Sequence, residues 1–211
     1  MLIEGPVVKR LLESHGIPIH GVFHIGAYEC EELPFYHSLG LPSEKVYWID
    51  ALPNKVEENT KKGIPNVFQS VISDKDGEIV SFNITNNGQS SSILEMGSHL
   101  HHHPHVWNIS SVPMVTTTID SFVAKHKIPM ETLDFWNFDI QGVELKALKG
   151  ATLALQHAKA LYLEVNTEEV YKGCGLLHEL DEFLTPLGFR RIETKMTGAG
   201  WGDALYLKTA V

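Results

Sequence analysis

Short apolar runs recur along this chain, separated by polar stretches of helix-forming composition. Residues 21–25, 46–49, 67–72, 135–140 and 160–165 are dense in Val, Ile, Leu, Phe and Trp. Runs of that length without strict alternation read as strands buried on both faces. Between them, residues 31–39, 54–62 and 143–157 read as helices. Strands alternating with helices give βαβ units and a mostly parallel sheet. Ahead of the first strand, Val7-Val8-Lys9-Arg10-Leu11-Leu12 reads as a short amphipathic helix stopped by Gly16 and Pro18, so residues 1–20 form an N-terminal helical segment. The other end differs. A helix at 180–187 precedes strands at 189–194 and 204–208, with Gly198, Gly200 and Gly202 between the two strands. A hairpin-like finish on a parallel sheet predicts an antiparallel edge strand.

Residues 83–113 break the rhythm, being polar and rich in Asn, Ser and His, with Gly88, Gly97 and Pro104. Strand-like stretches at 78–84 and 112–117 bracket them, which predicts the tip of an inserted hairpin. Long irregular segments inside compact domains usually serve as lids or binding loops. There is no internal repeat or linker, and 211 residues suit one domain spanning 1–211.

A hydrophobic content of 43% with 20% charged residues is ordinary globular composition. The net charge of −9 argues against a nucleic-acid partner, which needs clustered Lys and Arg, and mildly disfavours anionic acceptors. No apolar run approaches the ~18 residues of a membrane span. The N-terminus lacks a basic start followed by a long apolar core, so no secretory signal is read and a cytoplasmic location is expected. Cys30 and Cys174 are too few for a disulfide framework, and two reduced thiols are expected in preference to a bridge.

Four places carry candidate chemistry. In Val22-Phe23-His24-Ile25-Gly26-Ala27-Tyr28-Glu29-Cys30-Glu31-Glu32 a strand enters a glycine turn and then a helix, and Gly26 lets the backbone approach a ligand closely. The dinucleotide fingerprint G-x-G-x-x-G is absent. Glu31 and Glu32 would repel a pyrophosphate, so a cationic or neutral group suits the turn better. An ordinary βα turn with acids favouring the helix dipole is the other reading. At the end of the second strand, Asp50 falls 24 residues after Gly26, where a carboxylate holds a ribose diol; it is alternatively a helix cap.

The third place is Asp139-Ile140-Gln141-Gly142, where a buried strand delivers an acid to a sheet edge. Asp139 can accept a proton from a hydroxyl or bind a cation, and Gln141 both donates and accepts hydrogen bonds. The next strand ends in Glu164-Val165-Asn166, again with two polar side chains two apart and so on one face. Asp139, Gln141, Glu164 and Asn166 are expected to aim into one crevice. The fourth place, Ser98-His99-Leu100-His101-His102-His103-Pro104-His105, reads as a metal-binding cluster or as a solvated loop. It lacks companion Cys or acidic ligands at fixed spacing, so no metal site is assigned, although one of its imidazoles can face a substrate.

The blocks HIGAYECEELPFY, WIDALP, SSSIL, TTTIDSF, DFWNFDIQGVELKALKGA, LYLEVNTEEVYKG and GWGDALYLK resemble FkbM-type S-adenosylmethionine-dependent methyltransferases, from about Val22 to Lys208. The resemblance implies a Rossmann-like class I α/β fold, with a seven-stranded sheet whose last strand is antiparallel and helices on both faces. It also implies S-adenosyl-L-methionine as cofactor and O-methylation of a small-molecule or glycan acceptor, a sugar or other polyhydroxylated compound. Carried over by position, Gly26 and Ala27 resemble the turn under the cofactor. Glu31 or Glu32, with Tyr36, would flank its amino-acid end. Asp50, beside Ala51, resembles the ribose acid, Ser73 and Asp74 lie where adenine is held, and Ser91 belongs to a run near cofactor and acceptor.

The chain departs from the family pattern at three positions. His24 stands where many relatives have Asp, and Cys30 where many have Gly. Gln141 replaces a common Glu, which weakens the case for a two-carboxylate metal site, though Asp139 and Glu164 leave room for a divalent cation. Two rival readings stand beside the methyltransferase: a nicotinamide-dependent oxidoreductase, and a non-catalytic cofactor- or metal-binding Rossmann-like protein.

Overall fold

The computed structural model describes residues 1–209. Its main sheet is built from β1 (Val22–Ile25), β2 (Val46–Asp50), β3 (Val67–Gln69), β7 (Phe135–Phe138), β8 (Ala160–Asn166), β9 (Phe189–Met196) and β10 (Trp201–Lys208), in the order β3-β2-β1-β7-β8-β10-β9. Pairings from β3 across to β8 are parallel, and β10 runs antiparallel to both neighbours. The antiparallel strand is therefore interior. The edge position expected for it belongs to β9, because β10 inserts between β8 and β9.

Every residue of β1, β7 and β8 is buried, which explains their unbroken apolar runs. Alternate side chains face opposite ways. Phe23, Ile25, Trp136, Phe138, Leu161 and Leu163 pack on one face against α5 (Ile119–His126), α6 (Glu144–Lys149) and α7 (Leu177–Leu184). Val22, Trp48, Phe135, Tyr162 and Leu205 pack on the other against α1 (Gly5–Ser14) and α2 (Leu33–Ser38). Burial of each large apolar side chain stabilises by about 1.5–3 kcal/mol, so these two layers hold the sheet ends in register.

Several boundaries differ from the sequence pattern. The run at 67–72 is two strands, because Ser70 turns to donate its N–H to the Asp50 carbonyl at 3.0 Å. The second piece, β4 (Val71–Ile72), joins a three-stranded sheet, β4-β6-β5, with β5 (Ile79–Thr85) and β6 (Asn108–Thr117). The irregular stretch is shorter than 83–113, since β6 begins at Asn108, and it contains the single turn α4 (His99–His102). The helix expected over 143–157 stops at Lys149 and resumes as a 3-10 turn, Ala154–His157. Gly150 marks the break, where a Cβ would lie 2.5 Å from the Ser73 carbonyl oxygen. Between β2 and β3 runs α3 (Pro53–Lys61). No helix among the described residues is long and apolar enough to cross a membrane.

Candidate active site

The carboxyl ends of β1, β2 and β7 meet at the point where strand order reverses, which is where open α/β sheets hold ligands. A cleft of about 370 Å³ opens there, within the size range of small-molecule sites. Its floor is the turn after β1. Gly26 has φ +93°, its N–H donates to the Ile49 carbonyl at 2.8 Å, and a Cβ on it would sit 1.8 Å from the Asp139 carbonyl oxygen. Glycine is required by both the backbone conformation and the close approach of β7. Gly26, Ala27, Glu31, Glu32, Asp50 and Ala51 all line the cleft.

Asp50 ends β2 and accepts from the Tyr28 N–H at 2.6 Å and from the Leu52 N–H at 2.7 Å. It therefore braces the turns that enter α2 and α3, and its remaining lone pairs are left for ligand hydroxyls. Burial pushes its pKa up, against the two backbone N–H donors. The inserted hairpin forms the opposite wall. The Tyr28 hydroxyl donates to the Asn87 carbonyl at 3.0 Å, tying the hairpin tip to the glycine turn.

The turn after β7 is the most connected part. Gln141 adopts the left-handed region at φ +57° and projects its amide between two acids. Nε2 donates to Asp139 Oδ1 at 2.6 Å and to Glu164 Oε2 at 2.8 Å, and Oε1 accepts from the Tyr171 hydroxyl at 2.6 Å. One neutral amide thus does what a cation would do between two carboxylates. Asp139 is exposed to the cleft; its Oδ1 takes the Gln141 amide, and its carboxyl group also hydrogen-bonds that of Glu164. Glu164 is 6% exposed; burial holds its pKa well above the usual carboxylate range, with Asp139 and Glu144 adding repulsion.

Glu144 was not among the expected site residues, although it belongs to the D-I-Q-G-V-E motif. Its Oε1 accepts from the Ile140 N–H at 2.9 Å and from the Gly142 N–H at 3.3 Å, which fixes the shape of the turn that carries Gln141. Burial pushes its pKa up to about 8. Tyr171 and the cleft-facing His99, His103 and His105 were also unassigned from sequence.

Five expected site residues do not line the cleft. His24 and Tyr36 lie on the α1/α2 side of the sheet, where His24 Nδ1 meets the Tyr36 hydroxyl at 2.9 Å and that hydroxyl accepts from Asn137 Nδ2 at 2.8 Å. Burial drives the His24 pKa down to about 3, so this is a neutral buried network. Ser73 and Asp74 sit beyond the cleft, with Ser73 Oγ donating to Asp74 Oδ1 at 3.1 Å and its N–H to the Thr117 carbonyl. Ser70, Val71 and Ile72 do line the cleft, so its lining along this segment ends one residue before Ser73. Asn166 is fully buried and neither side-chain polar atom has a partner, whereas Glu164 lines the cleft. Ser91 lines the cleft, but its hydroxyl is spent on the Gly88 carbonyl at 2.7 Å and on the Thr85 N–H at 3.1 Å.

Of the residues grouped from the two strand ends, Asp139, Gln141 and Glu164 come together and Asn166 does not. Among the described residues no group of three or more His, Cys, Asp or Glu side chains is disposed to hold a metal ion. A glycine cradle at the strand-order reversal, with Asp50 and Asp139 at the neighbouring strand ends, suits a nucleoside ligand that carries positive charge.

The family model described as the methyltransferase FkbM domain matches residues 24–191, and the chain belongs to that family. No curated protein matches it in sequence. Among solved structures it is similar to magnesium protoporphyrin IX methyltransferase from Synechocystis PCC 6803 with bound SAM, at 12% identity and a TM-score of 0.47, covering 97% of this chain and 78% of that one. It is also similar to a SAM dependent methyltransferase from Aquifex aeolicus, at 16% identity and a TM-score of 0.40, covering 95% and 89% respectively.

Proposed function

We propose that this protein methylates a hydroxyl oxygen of a sugar or another polyhydroxylated small molecule. The observation that carries this reading is the carboxyl group of Asp139, exposed in the cleft and held in place by the Gln141 amide and the buried Glu164. S-adenosylmethionine, when bound, supplies an electrophilic methyl group on a sulfonium. Asp50 would hold the ribose hydroxyls, and Glu31 and Glu32 the amino-acid end. Gly26 keeps the floor open for close backbone approach.

The chain's own residues then orient the acceptor. The Asp139 carboxylate takes a hydrogen bond from the acceptor hydroxyl and aligns its oxygen, and it receives the proton as the oxygen becomes an ether. Gln141 fixes Asp139 through Nε2, while Tyr171 fixes Gln141. Alignment of the two reacting centres supplies the larger part of the acceleration, with proton acceptance by a positioned group contributing about 10²–10⁴-fold. Glu164, holding its proton through burial, limits the charge gathered beside Asp139.

The test is transfer from S-adenosylmethionine labelled in the methyl group to a panel of neutral sugars, methyl glycosides, polyols, hexose phosphates and hexuronates, with amines and thiols as controls. Labelled O-methyl product, lost in Asp139→Asn with the fold intact, supports the reading. Label on nitrogen, sulfur or carbon only overturns it.

A further inference from the structure

The cleft has two chemically different ends. Its carboxylates, Glu31, Glu32, Asp50, Asp139 and Glu164, all belong to the βα turns or to the end of β8. The wall from the inserted hairpin instead presents His99, His103 and His105, and none of the residues it adds to the lining is acidic. The rings form one continuous group, with centroids 4.9 Å apart for His99 and His103, 6.0 Å for His103 and His105, and 5.5 Å between His99 and Tyr171. His99 is 6% exposed, yet its Nδ1 has no hydrogen-bond partner.

We propose that this imidazole wall is an acceptor subsite for an anionic group, a phosphate or a carboxylate, so that the methylated compound is a hydroxylated acid or a phosphorylated polyol. The inference rests on the methyltransfer reading and names the substrate class for it. Imidazole N–H groups of the wall donate to the oxygens of the anion. Clustered imidazoles, neutral when the site is empty, gain positive charge when an anion enters.

The surroundings hold the empty wall neutral. Burial and the neighbouring His103, His105 and His102 hold His99 down to about 4, and burial with His105 and His102 lowers His103 as well. Around the wall, His102 is engaged outside the cleft with Glu168 Oε1 at 3.0 Å. Tyr171 and Cys174 pack against it from the segment after β8, both held neutral by burial. Beyond Tyr171 lies Gln141, which screens Asp139 and Glu164 from the wall. An anion raises the pKa of His99 and His103, so binding takes up a proton and strengthens as pH falls. The net charge of −9 disfavours anions over the whole surface, and this wall reverses that locally.

The test uses full-length protein with ¹⁵N-labelled histidine, saturated with S-adenosylhomocysteine and titrated with inorganic phosphate in one arm and acetate in the other. Long-range ¹H–¹⁵N spectra read the protonation of each ring. The expected result is a rise in the His99 and His103 pKa of at least about one unit, a tenfold change in proton affinity, while exposed His178 stays put. A response to phosphate alone assigns a phosphorylated acceptor, and one to acetate assigns a carboxylate. In His99→Gln, with melting temperature as the fold control, the shift at His103 falls away. His99 and His103 moving no more than His178 in both arms overturns the proposal. Calorimetry of S-adenosylhomocysteine in the same samples separates the two claims: its failure to bind removes the methyltransfer reading whatever the anions do.

Discussion

Replacing Glu144 by Gln isolates the group that shapes the Asp139–Gly142 turn. The folded protein keeps the Glu144 proton up to about pH 8, whereas the unfolded chain releases it near 4.5. Between those values the folded state binds more protons, so this contribution to stability is complete below pH 4.5 and is lost as pH rises to about 8. One such group changes unfolding free energy by about 1.4 kcal/mol per pH unit, with a ceiling of about 4–5 kcal/mol across the window. The ceiling is reached only if Asp139 and Glu164 do not readjust, since interacting carboxyls titrate together.

Glutamine keeps the acceptor oxygen for the Ile140 and Gly142 N–H groups and cannot ionise. Urea unfolding of both proteins from pH 4 to 9 is the assay. The curves should start close together at low pH and diverge, with Glu144→Gln the more stable above pH 8. Parallel curves across the window would refute the buried, protonated state of Glu144.

Gly26→Ala places a methyl group against the Asp139 carbonyl, which no rotamer change relieves; stability should fall by about 1–3 kcal/mol and S-adenosylhomocysteine binding with it. Unchanged affinity by calorimetry would remove the turn from the cofactor site. Asp50→Asn should weaken S-adenosylhomocysteine by about 10- to 100-fold, the value of a charged hydrogen bond, and equal affinity would reduce Asp50 to a brace for the turns. Asp139→Asn should lower kcat by at least about 100-fold with a smaller change in cofactor affinity, whereas unaltered turnover would take Asp139 out of the reaction.

The parallel core was legible because β1, β7 and β8 are buried on both faces and so wrote uninterrupted apolar runs. Gly26, Asp50 and Asp139 were legible because strand ends at a βα turn are the places the chain marks with a glycine or an acid. Asn166 was misplaced by the period-two argument, which sets the face of the strand but not how far along it the cleft extends. A single apolar run, 67–72, hid a change of sheet at Ser70, after which Val71 and Ile72 line the cleft and Ser73 and Asp74 lie next to its lining. His24 and Tyr36 lie on the wrong side of β1, which only a structure with α1 and α2 in place reveals. Glu144 acts through the backbone N–H groups of Ile140 and Gly142, and Tyr171 through the Gln141 side chain, and neither stands at a strand end that would mark it.

The central claim, that the cofactor's ribose sits on Asp50 and its reacting end faces Asp139 and Gln141, is tested most directly by a crystal structure with S-adenosylhomocysteine. The account predicts ribose hydroxyls bonded to Asp50, the sulfur toward the Asp139–Gln141–Glu164 group, and the wall of His99 and Tyr171 left open. Adenosine seated on that wall, with Asp50 untouched, would contradict it.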